Sequence, residues 1–351
     1  MTAAKKNNSR RKSAKFRRSR KKRIQKTILL VLLLIFLGGA GIGSIYLLRN
    51  GTLFGKLDEP YMASREFSGG ITGTDSLRAD GFAKKLCVVV SDVPMDGVSL
   101  GENQKGLLLD LDDRQVLYSK QALEKVYPAS ITKIMTAMLA LKYGNMDDVV
   151  TITQENLDLE SGSQVCGFWA GDKVTMDQLL HCLLVYSGND AASAIATHVG
   201  GSTEGFVEMM NSFAKELGCT GTHFTNPHGL QDENHYTTPY DIYLMLKEAL
   251  NYPEFTQITQ MGSYTVEYTH ADGSSASTTL TATDHYLTGE ATPPKNVTIL
   301  GGKTGTTDNA GNCLALLSQN AYGKPYISIV MGASTKDELY QQMSSLLQNI
   351  N

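Results

Sequence analysis

Three short groups of residues, met in one order along the 351-residue chain, have the side chains that acyl transfer needs. They are Ser130-Ile-Thr-Lys133, Ser187-Gly-Asn189 and Lys303-Thr-Gly305. Singly they say little: Ser-x-x-Lys also begins at Ser9, Ser19 and Ser212, and Ser-x-Asn recurs at Ser318, whereas Lys-Thr-Gly occurs once. A serine hydroxyl is a poor nucleophile until a base lies within hydrogen-bond reach. On a helix, residues three apart share a face, so Lys133 can reach the Ser130 oxygen. Burial, a second cation and the positive end of a helix would each lower its pKa toward useful basicity. Lys303 can supply that cation and also attract a substrate carboxylate. The backbone N–H at the helix start is a natural half of an oxyanion hole.

Such groups work only if the chain brings them together. A helix is expected from about Ser130, where Ile131, Ile134, Met135, Met138 and Leu141 fall at helical spacing. More helices are expected near 176–186, 190–199, 203–217 and 239–250, the last with Thr238 as cap, Pro239 first and Asp241 in the first turn. Leu86–Val90 reads as a strand, and Leu107–Leu111 with Val116–Ser119 as a hairpin turning at Asp112-Asp113-Arg114. Strands are expected again at Tyr264–Tyr268, Ser277–Ala282, Thr298–Leu300, Cys313–Ser318 and Tyr326–Met331, then a closing helix from Asp337 to about Gln348. The order strand, helices, strands, helix predicts an α+β fold: an antiparallel sheet with an inserted helical lobe. No second exported domain is expected after that helix.

The residues around each group carry a resemblance. Pro128-Ala-Ser-Ile-Thr-Lys-Ile-Met-Thr-Ala137, Gly171-Asp-Lys-Val-Thr175 leading to Ser187-Gly-Asn-Asp-Ala191, and Gly302-Lys-Thr-Gly-Thr-Thr307 with Ala310-Gly311 resemble the penicillin-binding D-alanyl-D-alanine carboxypeptidases. These are the low-molecular-mass serine DD-peptidases related to the serine β-lactamases. Asn226-Pro-His-Gly-Leu230 and His235-Tyr-Thr-Thr-Pro-Tyr-Asp241 are similar to a stretch particular to the carboxypeptidases. The likeness covers roughly residues 84–340, and the motifs in combination are highly specific.

The resemblance implies a five-stranded antiparallel sheet flanked by helices. It implies Ser130 as the acylated nucleophile, Lys133 as general base and Ser187 as proton relay to the leaving D-alanine. Asn189 would hold Lys133 and the substrate amide. Lys303, with the hydroxyls of Thr304 and Thr306 in the Lys303-Thr304-Gly305-Thr306 stretch, would bind the terminal carboxylate. The N–H groups of Ser130 and Thr306 would form the oxyanion hole. Peptidoglycan stem peptides ending in D-Ala-D-Ala are the implied substrates and β-lactam antibiotics the implied inhibitors, with no cofactor and no metal. Where relatives often have Asn-x-Leu-Leu, this chain has Asp284-His-Tyr-Leu287, so the substrate rim is expected to differ.

Rival readings are weaker. A class A β-lactamase would place a Glu-x-x-Leu-Asn loop between the first two motifs, and neither Glu155 nor Glu160 fits it. A penicillin-binding sensor would need a cytoplasmic output domain, which 26 residues cannot form. The seven histidines contain no His-Glu-x-x-His, against a zinc peptidase. His228 and His235 are expected to be structural loop residues, Trp169 a packing residue and Asp190 a helix cap.

Charge divides the chain. Thirteen of the 32 lysines and arginines, and none of the 35 acids, lie in residues 1–26. Residues 27–48 carry no charge and as a helix would rise about 33 Å, enough for a hydrocarbon core. The reading is a basic cytoplasmic tail (1–26), a transmembrane signal anchor (27–48), a flexible Gly/Ser-rich stalk (49–81) and an extracytoplasmic serine DD-carboxypeptidase domain (82–351). A cleaved signal peptide is the alternative, but no Ala-x-Ala precedes a break and the apolar run resumes at Ile45–Leu48. The tail has one aromatic residue, Phe16, and no folded frame, which argues against nucleic acid as a partner. The five cysteines show no metal-ligand spacing, and Cys182 and Cys313 lie in apolar runs as core residues.

Overall fold

Leu107, Leu108 and Leu109 are all fully buried, which a strand permits only when both of its faces are covered. They belong to β1 (Lys105–Asp110), which turns into β2 (Gln115–Lys120). In the computed structural model, which describes residues 85–350, these two strands continue into a five-stranded antiparallel sheet. Its order is β2-β1-β9-β8-β7, with β7 at Thr298–Thr307, β8 at Gly311–Gln319 and β9 at Pro325–Ala333. One face of the sheet packs Leu108, Leu314, Leu316 and Val330 against Leu339, Met343 and Leu346 of the closing helix, Lys336–Leu347. The other packs Leu107, Leu109, Ile327 and Ile329 into the main core, shared with the helical lobe.

The helix Lys133–Tyr143 crosses that core. Its residues Lys133–Ala140 are buried in an unbroken run, as expected of a helix apolar around its circumference. Ile134, Met135, Met138 and Leu139 are fully enclosed, each adding about 1.5–3 kcal/mol. Around it stand Asn189–Gly200, Thr203–Glu216 and Pro239–Ala249. The last opens as expected: Thr238 Oγ1 accepts the Asp241 N–H at 3.0 Å and Pro239 takes the first turn.

Three expectations are corrected. Leu86–Val90 joins no ladder: the Cys87 N–H donates to the Tyr243 hydroxyl at 2.9 Å, and pairing begins only at a Val93–Ser119 bridge. Its alternation of buried Cys87 and Val89 with exposed Val88 and Val90 reflects a chain lying across the core. The helix expected over 176–186 is α-helical only for Met176–His181 and becomes a π-turn over Cys182–Tyr186. The strand expected over Thr298–Leu300 is longer: β7 runs on through Lys303-Thr-Gly305 to Thr307, past a register shift between Ile299 and Gly301. A second, four-stranded sheet was not anticipated. It joins the three-residue strands β3 (Val149–Thr151) and β4 (Lys173–Thr175) to the hairpin β5 (Ser263–Thr269) and β6 (Ser275–Thr281).

The basic tail, apolar run and stalk expected over residues 1–81 lie outside the described residues. Among the described residues no helix is long and apolar enough to cross a membrane. All five cysteines are buried free thiols, Cys182 and Cys313 fully so.

Candidate active site

Ser130 sits on a 3-10 turn, Ala129–Thr132, that leads directly into the helix beginning at Lys133. Ala129 has φ +46°, a left-handed conformation costly for a residue with a Cβ and often held at functional sites. The loop Asn226–Leu230 supports the turn from behind. Gly229, at φ +87°, lies so close that a Cβ there would come within 1.9 Å of the Ala129 carbonyl oxygen. On the other side β7 passes at Gly305, where a Cβ would meet the Pro128 carbonyl and the Ser130 nitrogen at 3.0 Å each. Glycine at 305 is what lets the sheet reach the nucleophile's N–H.

Beneath Ser130, Lys133 is completely buried. Its Nζ lies 2.8 Å from Ser130 Oγ, 2.7 Å from Asn189 Oδ1 and 2.8 Å from the His228 carbonyl. The last two can only accept, so they take two of the nitrogen's hydrogens. The third direction faces Ser130 and holds a proton in the ammonium or a lone pair in the neutral amine. Burial lowers the Lys133 pKa well below the ordinary lysine value, the charge of Lys303 lowers it further, and Cys166 and Asp190 oppose both. That is the condition under which the amine can take the serine's proton.

Ser187 ends the π-turn in a left-handed conformation, φ +70°, and Asn189 begins the following helix. Lys303, on β7, donates to Ser187 Oγ at 2.9 Å and to the Thr304 carbonyl at 3.1 Å. Burial brings its pKa down to about 7, with Asp284 pulling upward. Ser130, Ser187, Asn189, Thr304, Gly305 and Thr306 all border one cavity of about 450 Å³. The structure therefore brings together every residue singled out, six on the wall and the two lysines behind it.

Several neighbours were not legible. Thr304 Oγ1 lies 2.5 Å from Thr283 Oγ1 and can accept from it, keeping its own proton for a ligand. Thr306 instead donates to Asn312 Oδ1 at 3.2 Å and must turn to meet a carboxylate. Residues 160–164 form the opposite rim of the cavity. His228 and His235 lie behind the wall, as structural residues. His235 Nε2 is 2.8 Å from Thr132 Oγ1, and its Nδ1 accepts the Thr225 N–H at 3.1 Å. Burial holds the pKa of His235 down at about 4 and that of His228 at about 3.

Two expectations fail. Asp190 is no helix cap: Gly188 holds that position, and the buried Asp190 carboxylate accepts the N–H groups of Cys166, at 2.8 Å, and Gly167, at 3.2 Å. Its position just after Asn189 suggested a cap; one oxygen does accept the Ala191 N–H of the first turn, at 2.9 Å, but Asp190 stands inside the helix and its carboxylate also holds the loop. Trp169 is not packed away either; it is 67% exposed.

Residues 101–335, more than half of the chain, match the Peptidase S11 family, D-alanyl-D-alanine carboxypeptidase. The chain belongs to that family. Among relatives, it is similar to the D-alanyl-D-alanine carboxypeptidase DacF of Bacillus subtilis (strain 168), 36% identical over 251 residues, 70% of this chain and 61% of that one. It is also similar to DacC of Escherichia coli (strain K12), 33% identical over 69% of this chain and 59% of the relative. The aligned part thus spans about three fifths of these relatives' length. The Streptomyces K15 DD-transpeptidase superposes with a TM-score of 0.65 and 28% identity, covering 74% of this chain and 98% of that one. The D-alanyl-D-alanine carboxypeptidase from Mycobacterium tuberculosis H37Rv gives 0.63 and 28%, over 73% and 92%. In this family's α+β fold, the sheet and helical lobe enclose the cavity just described. Among the described residues no group of three or more His, Cys, Asp or Glu could hold a metal.

Proposed function

We propose that the protein is a serine-type D-alanyl-D-alanine carboxypeptidase that removes the terminal D-alanine from peptidoglycan pentapeptides. The observation that carries the reading is the buried Lys133 amine, 2.8 Å from Ser130 Oγ, with two of its hydrogens already committed to Asn189 and His228. Ser130 Oγ attacks the carbonyl carbon of the penultimate D-alanine as Lys133 takes its proton. The oxyanion is met by backbone N–H groups where β7 passes the 3-10 turn, those of Ser130 and Thr306. Lys303 and Thr304 bind the terminal carboxylate, with Thr306 turning to join them. Ser187, hydrogen-bonded to Lys303, relays to the departing amine the proton that Lys133 took, giving its own and regaining that one; the C–N bond breaks and D-alanine leaves. Water then attacks the ester on Ser130 and returns the chain to its starting state. β-Lactams acylate the same oxygen, because their strained amide and carboxylate occupy the same positions.

Residues 27–48 anchor the enzyme in the cytoplasmic membrane, with residues 1–26 inside, residues 49–81 as a stalk and the catalytic domain outside. The uncharged run of 22 residues after thirteen basic ones supports this topology. Protease treatment of intact cells and of inverted vesicles tests it: the domain should be cut only from the outer side.

The activity is tested by D-alanine release from diacyl-Lys-D-Ala-D-Ala with the full-length chain in detergent, beside Ser130→Ala. Release abolished by the substitution supports the reading. A folded protein that releases nothing, yet is labelled at Ser130 by penicillin, would place it instead among non-catalytic sensors.

A further inference from the structure

Four rings run in contact from the core of the helical lobe to its surface. Phe168, buried, meets Tyr268 edge-on with centroids 5.2 Å apart, and Tyr268 meets His270 edge-on at 5.4 Å. His270 then stacks on Trp169, 4.7 Å away and only 19° from parallel. The buried Asp172 carboxylate fixes the outer pair: one oxygen accepts the Trp169 backbone N–H at 2.8 Å, the other lies 2.8 Å from His270 Nδ1. The indole is held, yet it remains 67% exposed. With one face against His270, that exposure belongs to the opposite face and the rim. A flat aromatic face that is pre-ordered and open pays little entropy when a ligand settles on it.

The position of this face is as telling as its order. Trp169 lies on the loop whose earlier residues, 160–164, form the rim of the Ser130 cavity. The Gln164 carbonyl accepts the Asn189 N–H at 2.8 Å, and Asp190 grips Cys166 and Gly167. The loop is thereby fixed to the catalytic residues, and Trp169, five residues beyond Gln164, is at most about 18 Å from that rim. In a pentapeptide stem, four residues separate the sugar from the bond to be cut, about 14 Å when extended. The two spans are of similar size, which sets the glycan of a substrate seated at Ser130 on the same length scale as the indole. Stem peptides carry no aromatic ring, so the group that suits the open face is the apolar C–H face of an N-acetylated amino sugar.

We propose that Trp169, backed by His270 and Asp172, is a saccharide-stacking subsite for the glycan strand that carries the stem peptide. The proposal rests on the carboxypeptidase reading and adds a reason for the enzyme to prefer peptides still attached to sugar.

Trp169 is the only tryptophan in the sequence, so its emission reports the subsite directly. Full-length Ser130→Ala protein, in a detergent without sugar or aromatic groups, is titrated with tetra-N-acetylchitotetraose. A saturable change in emission is expected; none over millimolar concentrations overturns the proposal. Because this probe has no peptide and no amine, attraction of a stem-peptide ammonium to the indole cannot mimic the result. In parallel, Trp169→Ala should raise KM for a disaccharide-pentapeptide roughly tenfold, the size of one lost stacking contact, and leave diacyl-Lys-D-Ala-D-Ala within about twofold. Trp169→Phe should recover part of the loss. Equal effects on both substrates, or none on either, would reduce Trp169 to a structural residue. If the unsubstituted enzyme cleaves neither substrate, the carboxypeptidase reading fails, and the emission titration still decides the subsite.

Discussion

Lys303 Nζ lies 2.9 Å from Ser187 Oγ, both buried, so a single hydrogen bond joins β7 of the five-stranded sheet to the end of the π-turn in the helical lobe. Because burial brings the Lys303 pKa down to about 7, this bond is made by an ammonium below that pH and by a neutral amine above it. Only the ammonium attracts a substrate carboxylate. For peptides ending in a free carboxylate, kcat/KM should fall as pH rises through about 7, approaching tenfold per unit. A bound carboxylate restores the charge, so the corresponding fall in kcat should come at higher pH. Steady-state profiles of both quantities check this; a kcat/KM flat from pH 6 to 9 would be the contrary result.

The same burial costs stability. A lysine normally titrating at 10.5 but at about 7 when folded binds fewer protons in the native chain than in the unfolded one between those values. Stability therefore rises with pH across that window, the reverse of a lysine that gains an ion-pair partner. Below pH 7 both states hold the proton and the penalty is complete. Lys303→Met should be inactive yet more stable by about 1–4 kcal/mol at pH 6, in the range found when buried charge is replaced by packed apolar groups. Chemical denaturation at pH 6 measures it, and a loss of stability would show that the bond to Ser187 outweighs desolvation.

A third expectation concerns the turn that carries the nucleophile. Since His235 Nδ1 accepts from Thr225, its Nε2 carries the hydrogen and donates to Thr132 Oγ1, which passes its own on to the Ala129 carbonyl at 2.8 Å. This relay holds Ala129 in its unfavourable conformation one residue before Ser130. His235→Ala should lower kcat and the rate of penicillin acylation together, by about 10²-fold, with KM little changed. Because the ring stays neutral down to about pH 4, the defect should be the same at pH 5 and pH 8. A defect that varies between those pH values would instead make His235 a proton carrier.

Much of this arrangement could be read from residue order. Thr238, Pro239 and Asp241 announce a helix start because capping is local chemistry, and the paired apolar runs around Asp112-Asp113-Arg114 announce the first hairpin for the same reason. The serine–lysine pair was legible because three residues make one helical turn. The Lys303 strand was not, since Gly301 and Gly302 look like breakers. In the fold they are places where backbones touch: a Cβ at Gly302 would lie 2.2 Å from the Ala315 carbonyl. Strands of three residues, such as β3 and β4, carry no period to detect. Asp190 and His235 were misjudged or left without a role because their partners, Cys166 and Thr132, are set by tertiary packing. Trp169 defied its type: an indole is ordinarily buried, and although Asp172 stands three residues on, the His270 ring that backs the indole is brought in only by tertiary packing.

Asp190 links the rim of the cavity to the base beneath it, and its replacement should separate two effects. Its carboxylate accepts the N–H groups of Cys166 and Gly167, and its charge opposes the lowering of the Lys133 pKa. Asparagine keeps the shape but offers one acceptor oxygen where the carboxylate offered two, so either the Gly167 N–H or the Ala191 N–H loses its partner at a cost of about 1–3 kcal/mol. Losing the negative charge also lets the Lys133 pKa fall further, because the ammonium loses a stabilising neighbour. A base with a lower pKa is free to accept a proton at lower pH. The acid limb of penicillin acylation should thus move to lower pH in Asp190→Asn, even as the folded protein becomes less stable. Acylation rates across pH 4–8, read beside melting curves, test both parts. A limb that moves upward would mean that the disturbed loop has admitted water to the lysine, with restored solvation outweighing the lost charge.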